Sequence, residues 1–235
     1  MVQFSKSLSC ITCPHKSHFF MKMSNEEFEM IDKNRIEVKF KKGDVISKQG
    51  TPPSHLIYLI DGLAKLYIEG NSNNNVTLQI LTSQTYIGLD SVFNDDLFNE
   101  NLLKYSVTAI EDSTACFLDI SSFKTIVRSN AAFAYEILSY VSKRKSLIYS
   151  KIKNLTQKNS RGRLADSILY LAEIYGSNKL HLSLTRKDLS ELAGTSLENS
   201  IRILSELRKE KIISVEGRTI EILNEDLLKK IQELG

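Results

Sequence analysis

Two groups of residues in this chain have types and spacings that can do chemistry. The first is sulfur. Cys10 and Cys13 form a Cys-x-x-Cys pair followed closely by His15 and His18, and Cys116 completes the three cysteines of the 235-residue sequence. Thiols and imidazoles so placed can ligate a metal, take part in redox chemistry, or pack as small apolar side chains. Zinc on Cys10, Cys13, His15 and His18 is chemically allowed, although the ligands are crowded for an ordinary finger. An odd cysteine count fits reduced thiols or a metal site better than a secreted disulfide framework. The second group is cationic. No acid occurs between Glu136 and Asp166, and that gap holds Lys143, Arg144, Lys145, Lys151, Lys153, Lys158, Arg161 and Arg163. Such a run either meets phosphates or forms a solvated helix face.

The charge is unevenly placed. The net charge is only +3, but residues 151–235 hold 15 basic and 12 acidic groups, against 16 of each in the first 150. With 42% hydrophobic and 25% charged residues the chain has an ordinary globular composition, which excludes disordered and fibrous classes. No apolar run is long enough for a membrane span, and MVQFSKSLSC lacks the apolar core of a signal peptide, so a cytoplasmic location is expected. Support for an enzyme is slight. Gly43-Asp and Gly50-Thr-Pro-Pro are turns that match no phosphate-loop fingerprint, and His55 and His181 have no nucleophile at a readable spacing. Asp95, Asp96 and Glu100 read as a solvated acidic turn.

The hydrophobic period shows which elements must carry these groups. From residue 35 to 120 it is mostly two: Ile36, Val38 and Phe40 alternate with charges, and Val76, Leu78 and Ile80 with polar residues. Turn signals at Lys42-Gly43-Asp44, Asp61-Gly62 and Gly70–Asn75 separate short strands, which implies an antiparallel sandwich or barrel. After Asn130 the period becomes helical: Phe133, Ile137, Val141, Ile148, Ile152 and Leu155 recur at spacings of three, four or seven, with no Gly or Pro before Arg161. That stripe outruns one domain's width and calls for a partner; a symmetric dimer is the economical solution. Beyond it come a helix over Leu164–Tyr175, a strand over Lys179–Leu184, a helix capped by Thr185, a turn at Gly194, and a helix over Leu197–Lys209 capped by Thr195 or Ser196. Strands over Ile212–Val215 and Thr219–Leu223 follow, and Leu189, Leu192, Ile203, Leu204 and Leu207 form the small core of a winged helix-turn-helix.

The stretch from Leu184 through Thr-Arg-Lys-Asp-Leu-Ser-Glu-Leu-Ala-Gly-Thr-Ser-Leu-Glu-Asn-Ser-Ile-Arg to Leu207, with Ile212–Ile220 after it, resembles the DNA-binding domain of the Crp/Fnr family of bacterial transcription regulators. Lys42–Ile46, Leu56–Gly62 and Tyr86-Ile-Gly88 resemble that family's jelly-roll sensor. The resemblance implies an α+β chain: an N-terminal segment (1–23), a double-stranded β-helix (jelly-roll) sensor (24–129), a dimerisation helix (130–158) and a C-terminal winged helix-turn-helix (159–235). It implies a homodimer on a pseudo-palindromic site in double-stranded DNA, with RNA polymerase as a further partner. Ser196 takes the place of a recognition-helix cap, Glu198 of an acid that accepts from cytosine, and Arg202 of an arginine that donates to guanine. Glu198 could instead serve a capping box, and Arg202 an ion pair with Glu198 or Glu206. Leu197 and Ile201 depart from the family's usual polar residues and would offer apolar surface to a thymine methyl. Arg186, Lys187, Thr195, Asn199 and Arg218 fit phosphate contacts.

The effector is harder to read. Cyclic-nucleotide-binding members hold the phosphate with a glutamate and an Arg-Ser pair; here Gly88 precedes Leu89-Asp90, the later segment is Lys104-Tyr105-Ser106-Val107, and no arginine lies between Arg35 and Arg128. A buried phosphate without compensating charge is costly, which argues against cAMP or cGMP. The Fnr branch holds an iron–sulfur cluster on three N-terminal cysteines and one from the β-roll. Cys10, Cys13 and Cys116 leave that set one ligand short, with His15 or His18 as substitutes. Reduced structural thiols, a cluster or other redox centre, and zinc are all open readings, as is a β-roll module that binds a small molecule or a protein without reading DNA.

Overall fold

The computed structural model describes residues 3–5, 9–71, 74–93 and 101–235, so the acidic turn Asp95, Asp96 and Glu100 lies outside the described residues. It divides into two compact units, residues 1–66 with 80–146 and residues 67–79 with 147–235.

The period-two segments become two antiparallel sheets. Strands β1 (Gln3–Ser5), β2 (Ile36–Phe40), β9 (Ser113–Leu118), β4 (Leu56–Asp61) and β7 (Thr85–Ile87) lie side by side in that order. The second sheet has the order β3 (Val45–Ser47), β8 (Ser106–Ala109), β5 (Ala64–Ile68) and β6 (Val76–Leu81). The jelly-roll expectation holds. The register pairs Cys116 with Tyr58 on β4 and with Glu37 on β2. Leu56, Tyr58, Ile60, Cys116 and Leu118 then bury one face against Phe20, Phe28 and Ile31, and against Phe123, Ile126, Phe133 and Ile137. The described residues before position 24 pack with the roll: β1 pairs with β2, and a 3-10 turn over His18–Lys22 places Phe20 in the core. Helix α1 (Asn25–Lys33) opens with a capping box between Ser24 and Glu27. Short helix α2 (Leu89–Val92) follows Gly88, and α3 (Ile120–Ser129) is capped by Asp119.

Helix α4 runs from Ala131 to Gln157, close to the expected span. It ends because Asn159 caps the next helix, α5 (Ser160–Tyr175), by accepting from the Arg161 and Gly162 N–H groups. Helix α5 therefore starts four residues before the expected Leu164. Strand β10 (Lys179–His181), helices α6 (Arg186–Ala193) and α7 (Leu197–Lys209), strands β11 (Ile213–Glu216) and β12 (Thr219–Ile222) and helix α8 (Glu225–Leu234) complete the chain, with sheet order β10-β12-β11. The five expected core residues of this winged helix-turn-helix are each no more than 5% exposed. Among the described residues no helix is long and apolar enough to cross a membrane.

Candidate nucleic-acid interface and sensor site

The helix-turn-helix is built from two caps and a forced glycine. Thr185 and Asp188 form a capping box that starts α6, and Gly194 ends it in the left-handed region at φ 60°. A side chain at Gly194 would also collide with Leu155, since an added Cβ would lie 2.3 Å from its Cδ2. Ser196, not Thr195, caps α7 by accepting from the Asn199 N–H at 3.2 Å; Thr195 accepts from the Asn199 amide at 2.8 Å. Ser200, Ile203, Leu204 and Leu207 are buried, which turns Leu197, Glu198, Ile201 and Arg202 outward on one exposed face. Leu197 and Ile201 remain 37% and 48% exposed.

On that face Glu198 makes no hydrogen bond or ion pair among the described residues, so the capping-box role does not apply. Arg202 donates to Glu206 and, at 2.8 Å, to Asn199 Oδ1. Of the expected phosphate ligands, Arg218 is exposed on the wing and Lys187 is exposed 3.8 Å from Glu191. Arg186 is otherwise engaged: its guanidinium donates to the Gly217 carbonyl at 2.5 Å and ties the wing turn to α6.

Half of the acid-free basic run also turns inward, while Lys143, Lys145 and Lys153 stay exposed. Arg163 donates to the Ala193 carbonyl at 2.8 Å and to Gly194 at 3.0 Å, and Lys151 donates to the Leu192 carbonyl. These are the last carbonyls of α6, which have no intrahelical donor. Lys158 pairs with Asp166, and Arg161 with Glu210. These four cations are scaffold for the helix-turn-helix. Burial pushes Lys151 down to about 8, against 10.5 ordinarily. Between pH 8 and 10.5 the unfolded chain therefore binds the extra proton, and stability rises with pH across that window. We expect unfolding free energy to climb by about 3 kcal/mol more in the wild type than in Lys151→Met over this range. Parallel pH profiles from chemical denaturation check this, and identical profiles would refute it.

The expected dimerisation residues separate into two sets. Phe133 and Ile137 are 0% and 4% exposed in the core of their own protomer, Val141 packs against that core, and Leu155 packs at Gly194. Phe133 and Ile137 thus serve the core of their own protomer, while Val141 and Leu155 are only partly buried. Ile148 and Ile152 stay 45% and 52% exposed, and so do Tyr135 at 69% and Leu138 at 63%, which the spacing argument passed over.

In the roll, the Gly88 N–H donates to the Tyr105 hydroxyl at 2.9 Å, and that hydroxyl donates to Asp90 at 2.9 Å. The position likened to a phosphate cradle is filled by a tyrosine and faced by a carboxylate. On the other face of β9, Cys10, Cys13, His15 and Cys116 line one cavity of about 30 Å³, room for a water molecule or two. Among the described residues no three His, Cys, Asp or Glu side chains are arranged to hold a metal ion. Burial and a hydrogen bond to Asp32 push the Cys10 thiol up to about 12. A four-iron cluster, with eight core atoms and thiolate ligands, is larger than the cavity that Cys10, Cys13, Cys116 and His15 line.

Comparison with known proteins agrees with this architecture. The cyclic nucleotide-binding domain model matches residues 37–130, and the Crp-like helix-turn-helix domain model matches residues 162–231. The chain is 26% identical over 221 residues to the listeriolysin regulatory protein of Listeria monocytogenes, covering 89% of this chain and 91% of that one. It is 22% identical over 199 residues to the anaerobic regulatory protein of Bacillus subtilis, covering 83% and 82%. A solved structure of a Crp/Fnr-family protein from Eubacterium rectale superposes with a TM-score of 0.77 at 20% identity, covering 92% and 98%. With both domains matched in order, by a roll and by a helix-turn-helix whose caps, core and outward face are all in place, the chain belongs to the Crp/Fnr family of DNA-binding transcription regulators.

Proposed function

We propose that the protein is a homodimeric, sequence-specific regulator that binds a pseudo-palindromic operator in the cytoplasm, with RNA polymerase as a further partner and the β-roll adjusting its DNA affinity. The observation that carries this reading is the outward face of α7. It presents a carboxylate with no partner, a guanidinium and two aliphatic side chains within a turn and a half, which is the chemistry needed to read base edges in a major groove. Thr195, Ser196, Asn199, Lys187 and Arg218 flank it as phosphate contacts. Two copies joined along the exposed side of α4 would present two such helices to half-sites about one helical turn apart.

The effector in this reading is not a cyclic nucleotide. A phosphate at Gly88 would have to displace the Tyr105 hydroxyl and would meet the Asp90 carboxylate. A redox signal acting on the cysteines fits the roll better. The reading is tested by gel shift on the DNA upstream of the protein's own gene, over a salt series. We expect log affinity to fall linearly with log salt, with a slope near the number of phosphates neutralised, and unlabelled operator to compete better than random duplex. A complex insensitive to both salt and sequence would return the chain to the reading of an interaction module.

A further inference from the structure

One amine of the helix-turn-helix scaffold opens into a cavity instead of closing on an acid. Lys151, on α4, is half-buried, and its Nζ donates to the Leu192 carbonyl at the end of α6. Among the described residues it has no ion-pair partner. Asp166 on α5, whose charge it feels, is already occupied: Oδ1 accepts from Lys158 at 3.0 Å and from Gln232 at 2.7 Å, and Oδ2 accepts from Asn154 at 2.8 Å. The cavity beside these groups measures about 260 Å³, and Lys151, Asp166 and Glu173 all line it. An apolar cavity of about 150 Å³ takes up benzene, so this one has room for a small organic molecule. The Glu173 carboxylate is exposed and has no hydrogen bond or ion pair among the described residues. The other charges about Lys151 are Arg163 on α5 and Lys158 after α4, while β6 and α8 contribute the neutral Gln79 and Gln232. Burial lowers the proton affinity of this amine to about 8, with Asp166 opposing and Arg163 assisting. At about pH 7.4 such an amine holds about 200-fold more free base than an ordinary lysine.

We propose that Lys151 is a covalent site for small uncharged carbonyl compounds, aldehydes above all, which it holds as an iminium inside this cavity. The Nζ lone pair attacks the carbonyl carbon, the C–N bond forms, and a proton moves from nitrogen to the new alkoxide, giving a carbinolamine. The C–O bond then breaks, and hydroxide takes a proton from solvent and leaves as water. One amine, one aldehyde and one proton thus give one iminium and one water, and hydrolysis reverses the sum. Charge selects the ligand class. An iminium keeps the positive charge that the ammonium carried, together with one N–H for the Leu192 carbonyl. An amide made from an acyl donor would lose that charge beside Asp166 and Glu173, and an anionic carbonyl compound would be repelled by the same two carboxylates. Because this nitrogen caps the end of α6, next to the Gly194 turn, occupancy of the cavity is registered within the helix-turn-helix.

The test treats the full-length chain at about pH 7.4 with propanal and sodium cyanoborohydride, which reduces each iminium to a stable propylamine, and maps the propyl groups by mass spectrometry. The expected result is propylation of Lys151 about tenfold or more faster than of any other lysine, since a less basic amine is a weaker nucleophile and gives back part of its advantage in free base. The α-amino group titrates at about pH 8 as well and is the reference for a reactive amine. From about pH 8 to about pH 10 the yield on Lys151 relative to exposed lysines should fall, because an ordinary amine is still gaining free base there. Acetyl phosphate, an anionic acyl donor run in parallel, should leave Lys151 unmodified. Lys151→Arg keeps the charge, forms no iminium and should lose that one product; the wild-type map decides the matter if the variant does not fold. Even propylation of the exposed lysines, propylation of the α-amino group alone, a ratio that does not move with pH, or acetylation of Lys151 without propylation would overturn the proposal. The map needs no DNA, so it stands or falls apart from the regulator reading, which the gel shift tests on its own.

Discussion

Replacing Leu138 and Ile152 together by glutamate yields a folded monomer whose operator affinity falls by about 100-fold or more. Both side chains are more than half exposed on α4, at 63% and 52%, so the substitutions disturb little packing within the protomer. Surface changes of this kind usually alter stability by no more than about 0.5 kcal/mol. Tyr135, Leu138, Tyr149 and Ile152 fall at offsets of 3, 14 and 17 residues, positions of one seam in a heptad repeat. In a symmetric pair each glutamate would face apolar groups or its own copy, and buried like charges are strongly unfavourable. A monomer contacts one half-site and forfeits the other. Sedimentation velocity reads the assembly state, circular dichroism the fold, and gel shift the affinity. A double variant that remains a dimer would place the interface elsewhere and sink this reading of α4.

That helix also shows where sequence spacing stops being informative. Phe133 and Ile137 belong to the same apolar recurrence as Ile148 and Ile152, yet the first two are buried in the roll and the second two are exposed. A helix with one apolar face toward its own domain and another toward a second copy has a single mixed pattern, and periodicity alone does not divide it. Local features were easier to read. The Thr185 cap, the turn at Gly194 and the α7 core depend on residues within a few positions of one another, and all appear as expected. The strands were legible for the same reason, since alternation and turn residues are local.

Groups whose partners are remote in sequence were misread or missed. Arg163 and Lys151 look like phosphate ligands in a basic run, but their acceptors are carbonyls 30 and 41 residues away, at the end of α6. No pattern around residue 160 announces that. Arg186 likewise finds its acceptor 31 residues on, in the wing turn. For Cys116 the decisive neighbour is Arg35, 81 positions earlier, brought to it by the β2–β9 pairing. A long-range signal was nevertheless present in the sequence: Arg35 is the only arginine before Arg128, and the structure uses it as a buried group.

The proposed base-reading pair, Glu198 and Arg202, gives the second large effect. Arg202→Ala should weaken operator binding by about 1–3 kcal/mol per half-site, hence about 2–6 kcal/mol for a symmetric dimer, and should relax the preference at one base position in each half. The arginine's present partner does not prevent this. Its pair with Glu206 is exposed, at 63% and 35% for the two side chains, and exposed pairs of this spacing contribute about 0.3–0.5 kcal/mol. A bidentate contact to guanine outweighs that, so the side chain should swing from Glu206 to the base when DNA arrives. Glu206→Gln should therefore bind at least as well as the wild type. Glu198→Ala should relax a different, neighbouring position, because its carboxylate has no internal role to lose and lies one turn away on the same face. Arg218→Ala is the contrasting case: a phosphate contact from the wing lowers affinity evenly across sequences and reduces the salt slope by about two for the dimer. Competition gel shifts with each base varied in turn separate these outcomes. If Arg202→Ala lost affinity evenly, with the base preferences of the wild type intact, Arg202 would be a phosphate ligand, and the sequence specificity of α7 would have to come from Glu198, Leu197 and Ile201 alone.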